Sequence, residues 1–431
     1  MRPFRFVHIA DVHLDTPFAS RSEALRERLR EAAREAFRRA VDLALSQAVD
    51  AFLIAGDLFD GERLSFATER FLLEQLDRLH DGGVGVYYAC GNHDPGGVRI
   101  GGVSWPDYVT VFADATPTIH VVRDRDGHPR GLVSGAGHPR PWEDTNLVAA
   151  FANLSVPRDV PQRLPHVALV HAWVQQTGGA DSHDRYAPCT VHDLEAAGRQ
   201  AGIHYWALGH IHQRQEVIRF PYAVYPGNPQ GRHFREGGEK GALLVTIHRG
   251  GSVETAFHPL APIRWETVRL DDLRAVETPA QLEAHIERAC RRIASGAAHR
   301  CEWIWRIELA GPCPLAERLA DPDNRLELEE HLRRVLSALH VEVRCDELTR
   351  PVDPDAYRGG THPLAVALEL LEQVRTDDAL LDELTPLLAR DGKGDGTGPE
   401  DAAARRAYVR SLLQGLEEEA VLRLTHRTSN G

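Results

Sequence analysis

FRFVHIADVHL, residues 4–14, is the stretch on which the reading of the chain turns. Its first part, FRFVHIA (4–10), is an apolar run of strand length, and it stops at Asp11-Val12-His13. In an extended chain residues two apart point to the same side, so Asp11 and His13 can reach one common point beyond the strand. A long helix is expected near 22–48, because Leu25, Leu29, Ala33, Ala36, Ala40, Leu43 and Ala44 recur at spacings of three and four. Further along, the same unit repeats. AFLIA (51–55) runs into Gly56-Asp57-Leu58-Phe59-Asp60, with a helix near 66–80 behind it, and GVYYAC (85–90) runs into Gly91-Asn92-His93-Asp94. HVALV (166–170) ends on His171, and YWALG (205–209) leads into His210-Ile211-His212. Residues 242–247 (ALLVTI) and 253–257 read as a closing pair of strands. Alternating strands and helices define a layered α/β domain. Ligands of open α/β sheets bind just beyond the carboxyl ends of the strands, so five polar strand ends point to one crevice.

The side chains gathered there are His, Asp and Asn, with no Cys, which excludes a thiolate zinc or iron–sulfur site. Imidazole mixed with carboxylate suits Mn²⁺, Fe or Zn²⁺, and the share of oxygen favours Mn²⁺. Seven candidate ligands exceed what one ion with open positions needs. They fit two divalent ions about 3.5–4 Å apart that share a bridging carboxylate, an arrangement that clamps the attacking and leaving oxygens of a phosphoryl group. The glycines before Asp57, Asn92 and His210 permit tight turns after each strand. Read singly, each cluster is no more than a turn, and a lone His after a strand is ordinarily structural. His8, inside the first strand, reads as core-facing, and His183, in a loop beside Asp184, as structural.

The rest of the chain bounds the answer. A net charge of −13 gives no overall positive field, so DNA, if bound, must meet a local basic patch or the metal ions. Cysteines 90, 189, 290, 301, 313 and 345 contain no C-x-x-C pair and read as reduced. The start lacks the apolar core of a secretory leader and no run of 18 apolar residues occurs, which makes a cytoplasmic, non-membrane protein the expectation. Near Pro262 a second unit begins, with strands at 264–270, 302–309 and 340–345 and helices near 279–294 and 325–339. TRPVDPDAYRGGTHP (349–363) reads as a linker. Two helical segments follow, about 364–389 and 400–424, with the loop RDGKGDGTGPE between them. Leu364, Leu368, Leu371 and Val374 form a stripe on the first, and Val409, Leu412, Leu413, Leu416 and Ala420 on the second.

DVH, GDLFD, GNHD, the His after an apolar run and GHIH, in that order, resemble the calcineurin-like metallophosphoesterases. A narrower resemblance is to the DNA-repair exonucleases of SbcD and YhaO type. HIADVHLDTPF, HDRYAPC (183–189), YWALGHIH and YPGNPQGRHFRE (225–236) look most like the YhaO branch. The resemblance is strong over about 1–270 and is one of layout beyond. It implies a layered α/β fold with mixed sheets flanked by helices over 1–261, and a small α+β capping domain over 262–348. A linker over 349–362 and a helical tail over 363–431 would complete the chain, the tail docking on an SMC-like ATPase of SbcC/YhaN type. A homodimer is also in keeping with it. By motif, Asp11, His13, Asp57 and His212 would hold one metal, and Asp57, Asn92, His171 and His210 the other, with Asp57 bridging. His93 would contact the scissile phosphate as a general acid, with Asp94 orienting its ring. Some relatives carry a second His where this chain has Asp60, which leaves Asp60 a supporting, hydrogen-bonding role. Arg232, His233 and Arg235 are the candidates for contact with DNA phosphates.

Three functions compete. The first is a DNA nuclease working with an ATPase. Another is a different phosphoesterase activity, such as a protein phosphatase or cyclic-nucleotide phosphodiesterase, which would share the metal chemistry but not need a cap and a tail. The third, a non-catalytic regulator of an ATPase, would be marked by lost ligands, and every ligand position here is filled.

Overall fold

The computed structural model describes residues 2–61, 64–96, 103–155, 164–175, 185–388 and 402–426. The chain divides into two compact units. One comprises Met1–Val268, Glu287–Ile307 and Leu328–Val343, and the other Arg269–Ile286, Glu308–Glu327 and Arg344–Gly431.

The first unit is built on two six-stranded sheets. In the first, β1 (Phe4–Ile9), β2 (Ala51–Ala55), β3 (Gly85–Ala89) and β4 (Val109–Phe112) run parallel. In the second, β5 (Thr118–Arg123) lies antiparallel beside β6 (Pro129–Ala136), which is parallel to β7 (His166–His171). A short pair, β8 (Val174–Gln175) and β9 (Cys189–Thr190), stands apart. β10 (Tyr205–Gly209), β11 (Gln215–Arg219) and β12 (Tyr222–Tyr225) complete the second sheet in the order β11-β12-β10-β7-β6-β5. β13 (Gly241–Ile247) and β14 (Val253–Pro259) return to the first sheet, antiparallel, giving β14-β13-β1-β2-β3-β4. The layered α/β fold with mixed sheets expected from the sequence is therefore present.

The alternation of side chains along each strand explains the layers. Phe52 and Ile54 on β2 pack with Phe37, Leu72 and Leu76 from α1 (Glu23–Ser46) and α2 (Phe66–Asp81). Their neighbours Ala51, Leu53 and Ala55 turn to the other sheet, where they meet Val167, Leu169, Tyr205 and Ala207. On the far side Trp206 and Leu208 pack with Phe151 and with Leu194 and Ala197 of α4 (Val191–Ala201). The short α3 (Leu147–Ala150) is capped by Asn146. Each fully buried large apolar side chain of this kind contributes about 1.5–3 kcal/mol. All five parallel strands that carry candidate ligands beyond their ends, β1, β2 and β3 in one sheet and β7 and β10 in the other, are thus pinned on both faces.

β15 (Ile263–Leu270), β16 (Glu302–Pro312) and β17 (His340–Thr349) form a three-stranded sheet. Helices α5 (Pro279–Ser295) and α7 (Pro322–Val335) lie where the periodicity predicts them, and α6 (Ala316–Ala320) adds a turn that it does not. The tail departs from two long helices. It forms α8 (Pro363–Thr376), α9 (Asp378–Leu388), α10 (Ala402–Leu413) and α11 (Leu416–His426), with breaks at Asp377 and at Gly415, whose φ is +83°. Within the second unit Leu364 and Leu368 of α8 are covered by Val421 and Ala420 of α11 together with Val352 and Tyr357. The stripes thus bury part of their surface against each other. The loop RDGKGDGTGPE lies outside the described residues. None of the helices among the described residues is long and apolar enough to cross a membrane.

Candidate metal centre

The end of β1 is shaped by its own backbone. Asp11 and His13 have φ of +54° and +49°, and Asp57, after β2, +49°. Each such left-handed non-glycine residue costs on the order of 1 kcal/mol and persists only where its surroundings impose it. Here backbone bonds do so, from Asp11 N–H to Gly56 O at 3.1 Å and from His13 N–H to Asp57 O at 2.9 Å. Gly56 serves both through its left-handed φ of +85° and through its lack of bulk, while Gly91 and Gly209 serve through lack of bulk. A Cβ on Gly56 would stand 2.2 Å from His171 Nδ1, and one on Gly91 2.2 Å from Asp57 Oδ1.

Seven side chains named from the sequence come together in the first unit. His13 Nε2 lies 3.3 Å from His212 Nε2 and 3.7 Å from Asp57 Oδ2, while Asp11 Oδ1 is 3.6 Å from His212 Nε2. On the other side of Asp57, His171 Nε2 is 3.4 Å from Asp57 Oδ2 and 3.1 Å from Asn92 Oδ1. His210 stands with its ring centroid 5.3 Å from that of His171, and its backbone N–H bonds to Asp11 at 3.1 Å. Asp57 Oδ2 therefore lies between His13 on one side and His171 on the other.

The donor chemistry fits cations. Two ring nitrogens, His13 Nε2 and His212 Nε2, face each other at 3.3 Å. Burial depresses the His13 imidazole to about 3, so the ring is neutral and presents lone pairs, with two buried carboxylates beside it. For His171 burial also acts downward, but Asp57 and Asp11 outweigh it and lift the ring to about 9. A divalent ion supplies the positive charge that this cluster otherwise draws from a proton.

His93 stands at the mouth, its side chain 44% exposed. Its Nδ1 is 3.0 Å from Asp60 Oδ1, a hydrogen bond that raises the imidazole above its ordinary value against the opposing effect of burial. The expectation that Asp94 orients this ring does not hold. Both Asp94 oxygens accept backbone N–H groups, from Gly91 at 2.7 Å, Leu58 at 2.5 Å, and Asp57 and Phe59 at 3.2 Å each. Asp94 is buried and ties the loop after β3 to the loop after β2, too fully engaged to serve His93. Asp60 takes that place and also faces His13 Nδ1 at 3.6 Å.

Sequence reading missed Glu236. This buried carboxylate accepts from His212 Nδ1 at 2.6 Å, from Arg232 Nη2 at 3.0 Å and from Asn228 Nδ2 at 2.8 Å. Burial opposes its ionisation, but His212 and the Arg232 guanidinium hold it well below the usual carboxylate range. A carboxylate behind a ligating imidazole fixes the ring and the tautomer, and here it turns the His212 Nε2 edge toward Asp11 and His13. The only signal in the sequence was the acidic end of GRHFRE. Arg232 is accordingly half-buried behind His212, with Nη1 3.7 Å from Asp60, whereas His233 and Arg235 are exposed. His8 is buried and shares a hydrogen bond with the Tyr205 hydroxyl at 3.0 Å. His183 lies outside the described residues. Glu236→Gln should leave the fold intact and weaken metal affinity about 10–100-fold, as loss of such a support does elsewhere. Titration of the metal-stripped variant with Mn²⁺, followed by isothermal calorimetry, measures this, and an unchanged affinity would remove Glu236 from the site.

Residues 4–214 match the model of the calcineurin-like phosphoesterase family, and the chain carries a domain of that family. Among curated proteins it is similar to the uncharacterized metallophosphoesterase YhaO of Bacillus subtilis, 34% identical over 270 residues, which is 62% of each chain. It is also similar to the DNA double-strand break repair protein Mre11 of Methanopyrus kandleri, 28% identical over 418 residues, covering 87% of this chain and 83% of that one. A third relative is the SbcD polypeptide of the nuclease SbcCD of Escherichia coli, 28% identical over 323 residues, covering 65% of this chain and 78% of that one.

Proposed function

We propose that this protein is a two-metal, Mn²⁺-dependent phosphodiesterase that cuts DNA as an exonuclease or endonuclease in repair, in the cytoplasm and together with an SMC-like ATPase. The observation that carries the phosphodiesterase reading is the meeting of seven ligand side chains from five strand ends around one shared carboxylate, Asp57. Asp11, His13, Asp57 and His212 would hold one ion and Asp57, Asn92, His171 and His210 the other. Bound there, the ions would polarise the phosphodiester and activate water. The chain's own residues do the rest. His93, with Nδ1 engaged by Asp60, has Nε2 left to give a proton to the departing oxygen. Arg232, between Asp60 and Glu236, sets a fixed positive charge at the edge of the mouth, and the exposed His233 and Arg235 would contact the DNA backbone. Two relatives, one named for DNA double-strand break repair and one for a nuclease, favour DNA over a phosphoprotein. The test is incubation with linear duplex, single-stranded and hairpin DNA in Mn²⁺ and in Mg²⁺. Cleavage in Mn²⁺ that disappears with chelator is expected, and hydrolysis of bis-p-nitrophenyl phosphate without any DNA cleavage would reject the nuclease reading.

The ATPase partner rests on the tail. After the tail helices have covered part of one another, Val366 and Leu370, four residues apart on α8, remain 56% and 57% exposed. A surface pair of this kind suits docking of one helix on another. Val366→Asp with Leu370→Asp should leave hydrolysis of bis-p-nitrophenyl phosphate unchanged and abolish co-purification with the ATPase. Retained co-purification would move the docking surface elsewhere.

A further inference from the structure

Trp142 is a large aromatic side chain left 62% exposed on a rigid loop. The loop is fixed at both ends of the aromatic. His138 Nε2 bonds to His171 O at 2.8 Å and His138 N–H to Cys90 O at 3.0 Å. Pro139 and Pro141 restrict the approach to Trp142. Just beyond it Glu143 is buried and accepts from Thr145 N–H at 3.0 Å, while its carbonyl accepts from Ala187 N–H at 2.7 Å. Trp173 N–H bonds to Tyr186 O at 2.9 Å, which holds the facing segment. The exposure of Trp142 is thus built into an ordered frame.

From Trp142 a line of rings leads inward. Its centroid is 5.0 Å from that of Tyr186, at 74°, and Tyr186 is 5.7 Å from His210, at 84°. His210 is one of the candidate ligands. Two cations are neighbours of this line along the chain, Arg140 two residues before Trp142 and Arg185 next to Tyr186. Arg140 is 70% exposed, with Glu143 as its nearest carboxylate at 3.8 Å, and Arg185 is exposed with its guanidinium 5.4 Å from the Trp173 ring centroid. An exposed indole with arginines beside it, two ring contacts from a site for phosphodiesters, has the composition of a surface for single-stranded nucleic acid: bases stack on the ring and phosphates meet the cations.

We propose that Trp142 is a base-stacking residue that holds an unpaired nucleobase next to the metal centre, so that the enzyme engages single-stranded or frayed ends in preference to closed duplex. This rests on the nucleic-acid reading of the site. A base still in a duplex is stacked and paired on its own strand and cannot lie on the indole without leaving the helix.

The experiment measures binding of a fluorescein-labelled oligothymidylate to the full chain by anisotropy, for the wild type, Trp142→Ala and Trp142→Phe, together with cleavage in Mn²⁺. Trp142→Ala should weaken binding about five- to a hundredfold, the span of one stacked base, and Trp142→Phe should recover most of it. The ratio of oligonucleotide to bis-p-nitrophenyl phosphate kcat/KM should fall in parallel, through KM. An oligonucleotide with abasic terminal positions should bind wild type and Trp142→Ala alike. Equal binding of the intact oligonucleotide by wild type and Trp142→Ala, or no binding by the wild type, overturns the proposal. If the wild type binds through Trp142 but cuts no DNA, the stacking stands and the nuclease reading falls.

Discussion

Asp57→Ala is expected to empty both metal positions and to abolish phosphodiester hydrolysis. Asp57 Oδ2 is 3.7 Å from His13 Nε2 on one side and 3.4 Å from His171 Nε2 on the other, so its removal takes a carboxylate from both sets at once. Its Oδ1 also accepts the His93 backbone N–H at 2.9 Å, which ties the mouth of the site to the same carboxylate. Two weakened sites, rather than one, is therefore the signature. Metal analysis of the purified variant measures the loss, and turnover of bis-p-nitrophenyl phosphate in excess Mn²⁺ measures the activity. Two bound ions per chain with wild-type turnover would refute the shared-ligand assignment.

His93→Asn should give the opposite dissociation: metals retained, turnover lowered by about 10²–10⁴-fold, the range for loss of a positioned proton donor. His93 touches the cluster from outside, with its ring centroid 4.8 Å from that of His13 and Nδ1 on Asp60. The rival assignment is concrete, because His13, Asp57 and His93 also offer three ligand atoms within 4.8 Å of one another. Metal content separates the two. If His93→Asn loses metal in proportion to its activity, His93 is a ligand and the proton-donor role fails.

The parts of this molecule that were legible in its sequence are those governed by local periodicity and by chain direction. β2 and β10 fall on AFLIA and YWALG, and the polar residues that end each strand converge as the rule for carboxyl ends requires. Strands with weaker alternation were not legible. β5 reads Thr-Ile-His-Val-Val-Arg, and β11 carries Gln215, Glu216 and Arg219, so these edge strands with half-exposed faces did not stand out as strands. The roles of Asp60 and Asp94 show a second limit. Adjacency in the chain put Asp94 beside His93, but its carboxylate points to the backbone amides of two loops. The partner of His93 arrives instead from the end of another strand, thirty-three residues earlier. Glu236 was invisible for the same reason. A carboxylate that supports a ligand is defined by what lies behind the ring, and no spacing along the chain encodes that. In the tail the apolar stripes were legible but their mutual burial was not, because the breaks at Asp377 and Gly415 set which stripes meet.

The place of β1 in its sheet has a consequence for how the protein is made. β1 leaves the ribosome long before β13, yet one of its two edges pairs with that strand, Phe6 lying opposite Val245. At about 5–20 residues per second, that edge waits on the order of ten to fifty seconds for its partner to be synthesised. During that interval Phe6, Val7 and Ile9 present an unpaired apolar strand, the kind of edge that recruits other chains. Nascent chains are therefore most exposed to misassembly before residue 247 emerges, and holding by a chaperone matters most in that window. A message cut short anywhere before β13 yields a polypeptide with a permanently open edge, whatever metal ligands it already contains.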